Sequence, residues 1–470
     1  MVKRKRIAIL AILLPVVLLI CNTPARAATP FRNLEAKAAI LAEADTGEVL
    51  YQHNMNVRRP ADALARIMTM ILTVSAIEKG EADTEEIIKM TESALFDINE
   101  SSSTMGISPG EEMSLIDLMY CAFVGGANEA CNLIAERISG SVEAFVKLMN
   151  EHAMELGCEK TNFTNPHGQF SNDQYTTALD QYNIYHAAIS YPLFEEISGT
   201  FRYTLETPDG ETRKFNGANL LLNSNSGNKY FYRQCTSGMV SNTFEGGLSF
   251  IGLAESEGLS LIVVILGSDD IVFEDKTAEM RNLTEARRLF QWGFEEFEWR
   301  TILSSSELIR KVPILHGAGA DYVNVRAESE IKLILDKDIP LEEFKRTITI
   351  YSEGRDEPLI APIEAGTILG EVTLTRQGEN YGTRKLIANT GIELHRLEFM
   401  RIQIKDMLSS STAHTIMIAL ALLIVLYAAL VIRYNVIRAR RIRRIKEAKR
   451  KLIDERQAVS EVDGNDPRLR

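Results

Sequence analysis

Residues 58 to 69 read RRPADALARIMT and place Ala63 and Arg66 three positions apart at the start of a predicted helix. This spacing puts both side chains on one helix face. A serine and a lysine at such positions could transfer an acyl group, because the hydroxyl attacks a carbonyl and a neutral amine accepts its proton. Ala63 offers only a methyl group, and the Arg66 guanidinium stays protonated in proteins. The segment therefore has the layout of a catalytic helix without its chemistry.

Arg66 permits two interpretations. Its permanent cation could bind a ligand carboxylate. Alternatively, Asp62 could pair with Arg66 or cap the helix.

Other nucleophiles and bases have simpler explanations. We predict that Ser101–Ser103 make polar loop contacts and that Cys235 is a buried strand residue. We predict a turn histidine bonded to backbone at His167, and a water-facing side chain at Lys79.

Cysteine spacing shows no metal pattern. Five cysteines are present, with no C-x-x-C pair among them. Cys21 lies near the N-terminus. The other four cysteines could form two disulfides or could stay as four buried thiols. No metal site and no cofactor are predicted.

Periodicity places these segments on an α+β framework rather than an alternating one. Two short strands flank the turn DTGE, and a hairpin joins residues 248 to 256 and 259 to 268. The 3.6-residue period predicts helices over 61 to 78, 114 to 124, 127 to 138, 141 to 157 and 276 to 294. Short β-rich runs follow from about residue 310. We therefore predict domains at 28–297 and 298–400.

The N-terminus has the layout of a signal peptide over residues 1–27. A basic start precedes the apolar run Ile7 to Ile20, and Ala25-Arg26-Ala27 forms an A-x-A cleavage site. An uncleaved anchor is the alternative. A lipoprotein cleavage at Cys21 is disfavoured by the large Ile20 before it.

The C-terminus predicts a membrane span. Residues 415 to 432 hold no charge, so we predict a transmembrane helix over 413–433 and a basic cytoplasmic tail over 434–470. The expected partners of this region are membrane lipids rather than nucleic acid. The whole chain carries a net charge of −12, and its acidic exported body argues against nucleic-acid binding.

Several stretches resemble the D-alanyl-D-alanine carboxypeptidases, the low-molecular-mass penicillin-binding proteins of the serine peptidase S11 family. They are AAILAEADTGEVLYQHNMNVRRPA, IMTMILTVSAIEKG, ISGSVEAFVKLMNEHAMELGCEKTNFTNPHGQ, FNGANLLL, VPILHGAGADYVNV and APIEAGTILGEVTL. The resemblance implies a β-lactamase-like transpeptidase fold, with an antiparallel sheet and a helical subdomain. A small all-β domain and one transmembrane helix should follow.

The same resemblance implies that catalytic groups are missing. The family's S-x-x-K, S-x-N and K-T-G motifs align with Ala63 and Arg66, with Gly126 and Asn128, and with Thr236, Ser237 and Gly238. Four functional side chains are replaced. Of the motif positions, the resemblance implies Arg66, Asn128 and Ser237 as the candidate ligand-binding residues. We therefore expect an inactive membrane-anchored homologue that binds peptidoglycan stem peptides or scaffolds cell-wall or division proteins. The alternative is a serine-type carboxypeptidase or rewired hydrolase acting on those peptides.

Overall fold

A computed structural model describes residues 31–206, 210, 212–272, 278–354 and 358–462. The predicted signal peptide and residues 463–470 of the predicted tail lie outside these ranges. The chain divides into two compact units. The first comprises residues 1–300 and 333–340, and the second comprises residues 301–332 and 341–470.

The elements that begin before residue 300 form a central sheet, whose strands come from both ends of this region, and a block of helices between them. The strands are β1 Ala38–Glu43, β2 Val49–His53, β3 Arg59–Pro60, β4 Ile87–Lys89, β5 Glu112–Ser114, β6 Tyr175–Thr176, β7 Arg202–Glu206, β8 Thr212–Asn216, β9 Cys235–Thr243, β10 Gly247–Ser256, β11 Leu259–Ser268, β12 Ile271–Val272, β13 Ala278–Glu279 and β14 Phe297–Leu303. The helices are α1 Ala65–Glu78, α2 Leu115–Phe123, α3 Asn128–Ser139, α4 Val142–Glu155, α5 Ala178–Ala188, α6 Pro192–Ser198 and α7 Arg281–Glu296. Short 3₁₀ turns lie at Asp62–Leu64, Ser93–Leu95 and Leu220–Leu222.

The central sheet is antiparallel, in the order β2-β1-β11-β10-β9. Its inner strands are apolar on both faces because each face covers a separate core. Ile40 packs with the helices α1 to α6, whereas Leu41, one residue on, packs with α7. Strand β9 is an outer strand of this sheet, so one backbone edge has no strand partner within it.

The predicted hairpins and helices are confirmed within a few residues at each end. Ser114 caps α2 by accepting a hydrogen bond from the Asp117 N–H at 3.2 Å, as its spacing predicts. Gly157 follows α4 in the left-handed conformation, which ends the helix. Helices α5 and α6 were not predicted. Buried residues lie around most of α5, so it lacks an amphipathic stripe.

The second unit is built on a six-stranded sheet in the order β18-β20-β21-β16-β15-β19. Its strands, together with β17, which crosses the boundary between the units, are β15 Leu308–Leu315, β16 Tyr322–Ala327, β17 Ile331–Asp336, β18 Lys345–Ile350, β19 Leu359–Ile360, β20 Ile368–Arg376 and β21 Glu379–Ala388. A 3₁₀ turn at Leu341–Glu343 and the helices α8 Tyr351–Gly354, α9 Arg396–Ser409 and α10 Ser411–Val462 complete it. Helix α10 is long and apolar enough to cross a membrane, which fits a membrane anchor.

Candidate functional site

A cleft of about 800 Å³ opens beside the start of α1 in the first unit. Its walls include the turn before α1, the turn before α3, the loop with Ser101 and Ser103, the loop from His167 to Phe170, residues 216 to 219, and β9 from Gly238 onward. The cleft therefore brings Ala63, Arg66, Gly126 and Asn128 together, as the family resemblance implies.

Arg66 is bound by protein groups on the side where a catalytic base would act. Its Nε donates to the carbonyl oxygen of His167 at 2.9 Å. Its Nη2 donates to the Gly126 carbonyl oxygen at 2.9 Å and to Asn128 Oδ1 at 2.8 Å. Only 7% of the residue is exposed. The guanidinium thus joins α1 to two separate turns, and two of its three nitrogens are occupied.

Buried charge around Arg66 is compensated locally. Burial lowers the pKa of Arg66, while Cys131 and Glu129 act in the opposite direction. The Glu129 carboxylate is fully buried and accepts hydrogen bonds from Thr104 Oγ1 at 2.6 Å and from the Met105 N–H at 2.8 Å. A guanidinium deprotonates only at very high pH, so Arg66 remains a cation.

The alternative roles considered for Asp62 are not observed. Asp62 forms neither an ion pair with Arg66 nor a side-chain cap on the turn that begins α1. Its backbone has φ +45°, and its Oδ2 accepts from Thr243 Oγ1 at 2.8 Å. Burial raises the pKa of Asp62 to about 6, because no cation balances it and Glu245 adds negative charge.

Gly126 leaves the space that Arg66 uses. A Cβ at this position would lie 3.2 Å from Arg66 Nη1 and 3.2 Å from Ser103 Oγ. Its φ is +74°, a conformation that other residues rarely adopt. A serine here would need both a strained backbone and displacement of the guanidinium.

The backbone at Ala63 is also occupied. The Ala63 N–H donates to Ser241 Oγ at 3.1 Å. In acyl transfer to a serine, backbone N–H groups beside the nucleophile stabilise the oxyanion that forms. Here a side-chain oxygen of the protein takes that donor.

The expected third motif is placed differently by the structure. Ser237 is fully buried and its hydroxyl bonds to Tyr185 Oη at 2.8 Å, while Thr236 Oγ1 donates to the Leu253 carbonyl oxygen at 3.4 Å. Of the predicted triplet, only Gly238 lines the cleft. The part of β9 that faces Ala63 is Met239 to Thr243, which carries no cation.

The other residues that could replace a missing nucleophile or base have structural roles. His167 Nδ1 accepts the Gln169 N–H at 3.1 Å and Nε2 donates to Asp97 Oδ2 at 2.8 Å, so the ring is neutral and has no free lone pair. Its predicted bond to backbone is confirmed. Cys235 is buried, and burial raises its thiol pKa to about 12, which excludes a thiolate nucleophile at neutral pH.

The serine loop makes polar contacts as predicted, and the cysteines match the buried-thiol alternative. Ser101 bonds to Asn99 Oδ1 at 2.6 Å and Ser102 to Gln169 Oε1 at 2.7 Å. Cysteines 121, 131, 158 and 235 are free and buried. Lys79 is exposed. Within the described ranges, no cluster of three or more His, Cys, Asp or Glu side chains is arranged to hold a metal ion.

Comparison with known proteins identifies D-alanyl-D-alanine carboxypeptidases among the relatives. The family model described as D-alanyl-D-alanine carboxypeptidase matches residues 23–270. The carboxypeptidase DacF of Bacillus subtilis is 28% identical over 346 residues, which cover 73% of this chain and 82% of DacF. DacC of Escherichia coli is 26% identical, over 77% of this chain and 85% of DacC.

Solved structures confirm the fold. Penicillin-binding protein 5 of Haemophilus influenzae aligns with a TM-score of 0.57 at 24% identity, covering 78% of this chain and all of that one. Penicillin-binding protein 6B of Escherichia coli aligns with a TM-score of 0.57 at 23% identity, covering 76% and 96%. The predicted α+β penicillin-binding fold is thus confirmed.

We predict that Gly126→Ser lowers the free energy of unfolding by about 2 to 4 kcal/mol, because left-handed strain adds to a clash with Arg66. Chemical denaturation measures the change. Gly140→Ser is the matched control, since Gly140 has φ +80° with no atom within 4 Å of its Cβ position. In an Arg66→Ala background, the loss caused by Gly126→Ser should shrink to that of Gly140→Ser. Additive losses would contradict the packing of Arg66 against residue 126.

We predict that Asp62→Asn stabilises the protein at pH 7.5 by on the order of 1 to 2 kcal/mol. The folded state holds the Asp62 proton up to about pH 6, whereas the unfolded chain releases it near its ordinary pKa of 3.8. Wild-type stability from this group therefore falls as pH rises from about 4 to above 6. Asparagine keeps an acceptor for Thr243 and removes this dependence. The gain should be much smaller near pH 4.5 in denaturant titrations, while exposed Asp173→Asn should change little at either pH.

Proposed function

This chain belongs to the D-alanyl-D-alanine carboxypeptidase family, and we propose that it is a non-hydrolytic member that binds peptidoglycan stem peptides at the membrane surface. The observation that carries the proposal is the Arg66 guanidinium, bonded to His167, Gly126 and Asn128 where a base would act. A cation with these bonds cannot accept a proton from a nucleophile.

Loss of chemistry extends beyond the base. The nucleophile position holds a methyl group at Ala63, and the Ala63 N–H is bonded to Ser241. The cleft side of β9 offers Met239 in place of a cation. Nucleophile, base and anion-stabilising groups are therefore absent together, which favours an inactive member over a rewired hydrolase.

A binding role is supported by what the cleft retains. Its volume of about 800 Å³ is sufficient for a short peptide. Strand β9 has an open backbone edge, to which an extended peptide can add as a further strand. Asn128 and Gln169 contribute amide groups to the wall, with Asn128 Nδ2 lying 3.4 Å from Gln169 Oε1.

A scaffolding role is the second candidate, and helix α10 favours it. The helix continues for thirty residues beyond the apolar stretch that ends at residue 432. Ten Lys or Arg residues lie between 433 and 451, against one acid. We place this part on the cytoplasmic side and residues 28 to about 412 outside, because basic flanks stay inside. A rigid basic helix of this length could contact anionic lipid headgroups or a cell-wall protein.

We expect the full-length protein in detergent micelles to form no covalent adduct with a fluorescent penicillin and to release no D-alanine from a stem pentapeptide. Gel fluorescence and a D-alanine assay measure the two outcomes. DacF of Bacillus subtilis, prepared in the same way, is the comparison protein. Ala63→Ser should also stay unlabelled, because Arg66 cannot activate the new hydroxyl. An adduct or D-alanine release by the wild-type chain would refute the non-hydrolytic proposal.

We expect the same preparation to bind a stem pentapeptide saturably, by isothermal titration calorimetry. Ser103→Trp should abolish the binding, because residue 103 is exposed on the cleft wall and a large ring would fill the space. Ser190→Trp, an exposed substitution outside the residues that line the cleft, should leave the affinity unchanged. Binding that survives Ser103→Trp would place the peptide elsewhere, and no binding at all would leave scaffolding as the function.

A further inference from the structure

The charges of the cleft determine which kind of peptide end it can hold. Of the described residues that line it, Arg66 and Glu245 carry charged side chains, and His167 is neutral by its hydrogen bonds. Strand β9 contributes Met239 and Val240, which are apolar and buried. The lining therefore has few cations. This contrasts with the family's activity, because a carboxypeptidase acts on a peptide that ends in a carboxylate.

Arg66 does not supply the missing cation. Nε and Nη2 are committed to His167, Gly126 and Asn128, and only 7% of the residue is exposed. The fully buried Glu129 also attracts its charge. The charge on the remaining nitrogen, Nη1, is already stabilised by three acceptors and a buried anion, so a ligand carboxylate gains less from it than from a free cation.

The exposed charges near the cleft do not favour a carboxylate. Glu245 lines the cleft and is exposed, whereas exposed Arg202 lies outside the lining residues and donates from Nε to Asn216 Oδ1 at 3.1 Å. Solvent and salt screen both charges, so at low salt the Glu245 carboxylate, which is part of the lining, has the larger effect on a ligand.

The uncharged part of the wall can still hydrogen-bond to a peptide. Asn219 lines the cleft, but its side chain is engaged, because Oδ1 accepts the Leu221 N–H at 3.1 Å and the amide also bonds to Cys235. Ser103 and Asn242 line the cleft as well, and both are exposed. Their hydroxyl and amide groups can bond to a peptide amide without bringing a charge.

We propose that the cleft selects a stem peptide whose C-terminal end carries no negative charge, such as an amidated or cross-linked one, over a peptide with a free terminal carboxylate. This inference rests on the proposed binding function. A carboxylate that leaves water without a cation loses its hydration with little return. A carboxamide or an internal amide carries no charge and can instead exchange hydrogen bonds with exposed polar side chains of the wall such as Ser103 and Asn242.

Two synthetic pentapeptides ending in D-Ala-D-Ala test the inference, one with a free carboxylate and one with a carboxamide. The full-length protein in nanodiscs of neutral lipid is titrated with each by calorimetry at low salt. We expect the carboxamide to bind at least about tenfold more tightly. Glu245→Gln should reduce the preference and Glu245→Lys should remove most of it, because both relieve repulsion at the mouth. Exposed Glu159→Lys, outside the lining residues, is the matched control.

The outcomes separate the inference from the function on which it rests. Equal or tighter binding of the carboxylate peptide would overturn the inference and leave stem-peptide binding intact. Loss of that carboxylate binding in Arg202→Gln would then locate the recognising cation. If neither peptide binds, the proposed binding function fails and the inference fails with it.

Discussion

A buried guanidinium must direct its N–H groups at fixed acceptors, and this constraint organises the cleft around Arg66. Its donors meet the carbonyl oxygens of His167 and Gly126 and the amide oxygen of Asn128. Helix α1 and two turns from distant parts of the chain are thereby held in one arrangement. Removing one partner of such a network leaves polar groups buried and unsatisfied, which is why it resists change. In a hydrolase, the Asn128 side chain would face a substrate, whereas here it accepts a hydrogen bond from Arg66.

The losses at the motifs are linked through this packing. A Cβ at residue 126 would lie only 3.2 Å from Arg66 Nη1, and the Ala63 N–H is already bonded to Ser241 Oγ. A serine restored at position 63 would have neither a base at position 66 nor its own backbone N–H as a free oxyanion donor. The replacements at 66 and 126 are therefore coupled through contact, although the sequence presents them separately. A large, branched cation at position 66 favours a small residue at position 126.

The sequence predicted the framework better than the details of the cleft. Strand alternation and helix periodicity indicated the central hairpins and the helices α1 to α4 and α7, because burial decides those patterns. The residues Thr-Ser-Gly suggested a third motif at 236 to 238. Only the packing around β9 shows that Ser237 hydrogen-bonds to Tyr185 instead of lining the cleft. The expected bond between Asp62 and Arg66 failed for a similar reason. A positive φ at Asp62 directs its carboxylate to Thr243, and no pattern of residue types announces that turn.

An open cleft is unusual to retain where no ligand enters, because interiors close-pack and empty space forfeits contacts. Here the residues at the reacting positions have become small or fixed, yet the space has not been filled by larger apolar side chains. A scaffold that used only its outer surface would gain by closing this space. The persistence of the space favours the proposed binding role over scaffolding, and the scarcity of cations in its lining favours a ligand whose end is neutral.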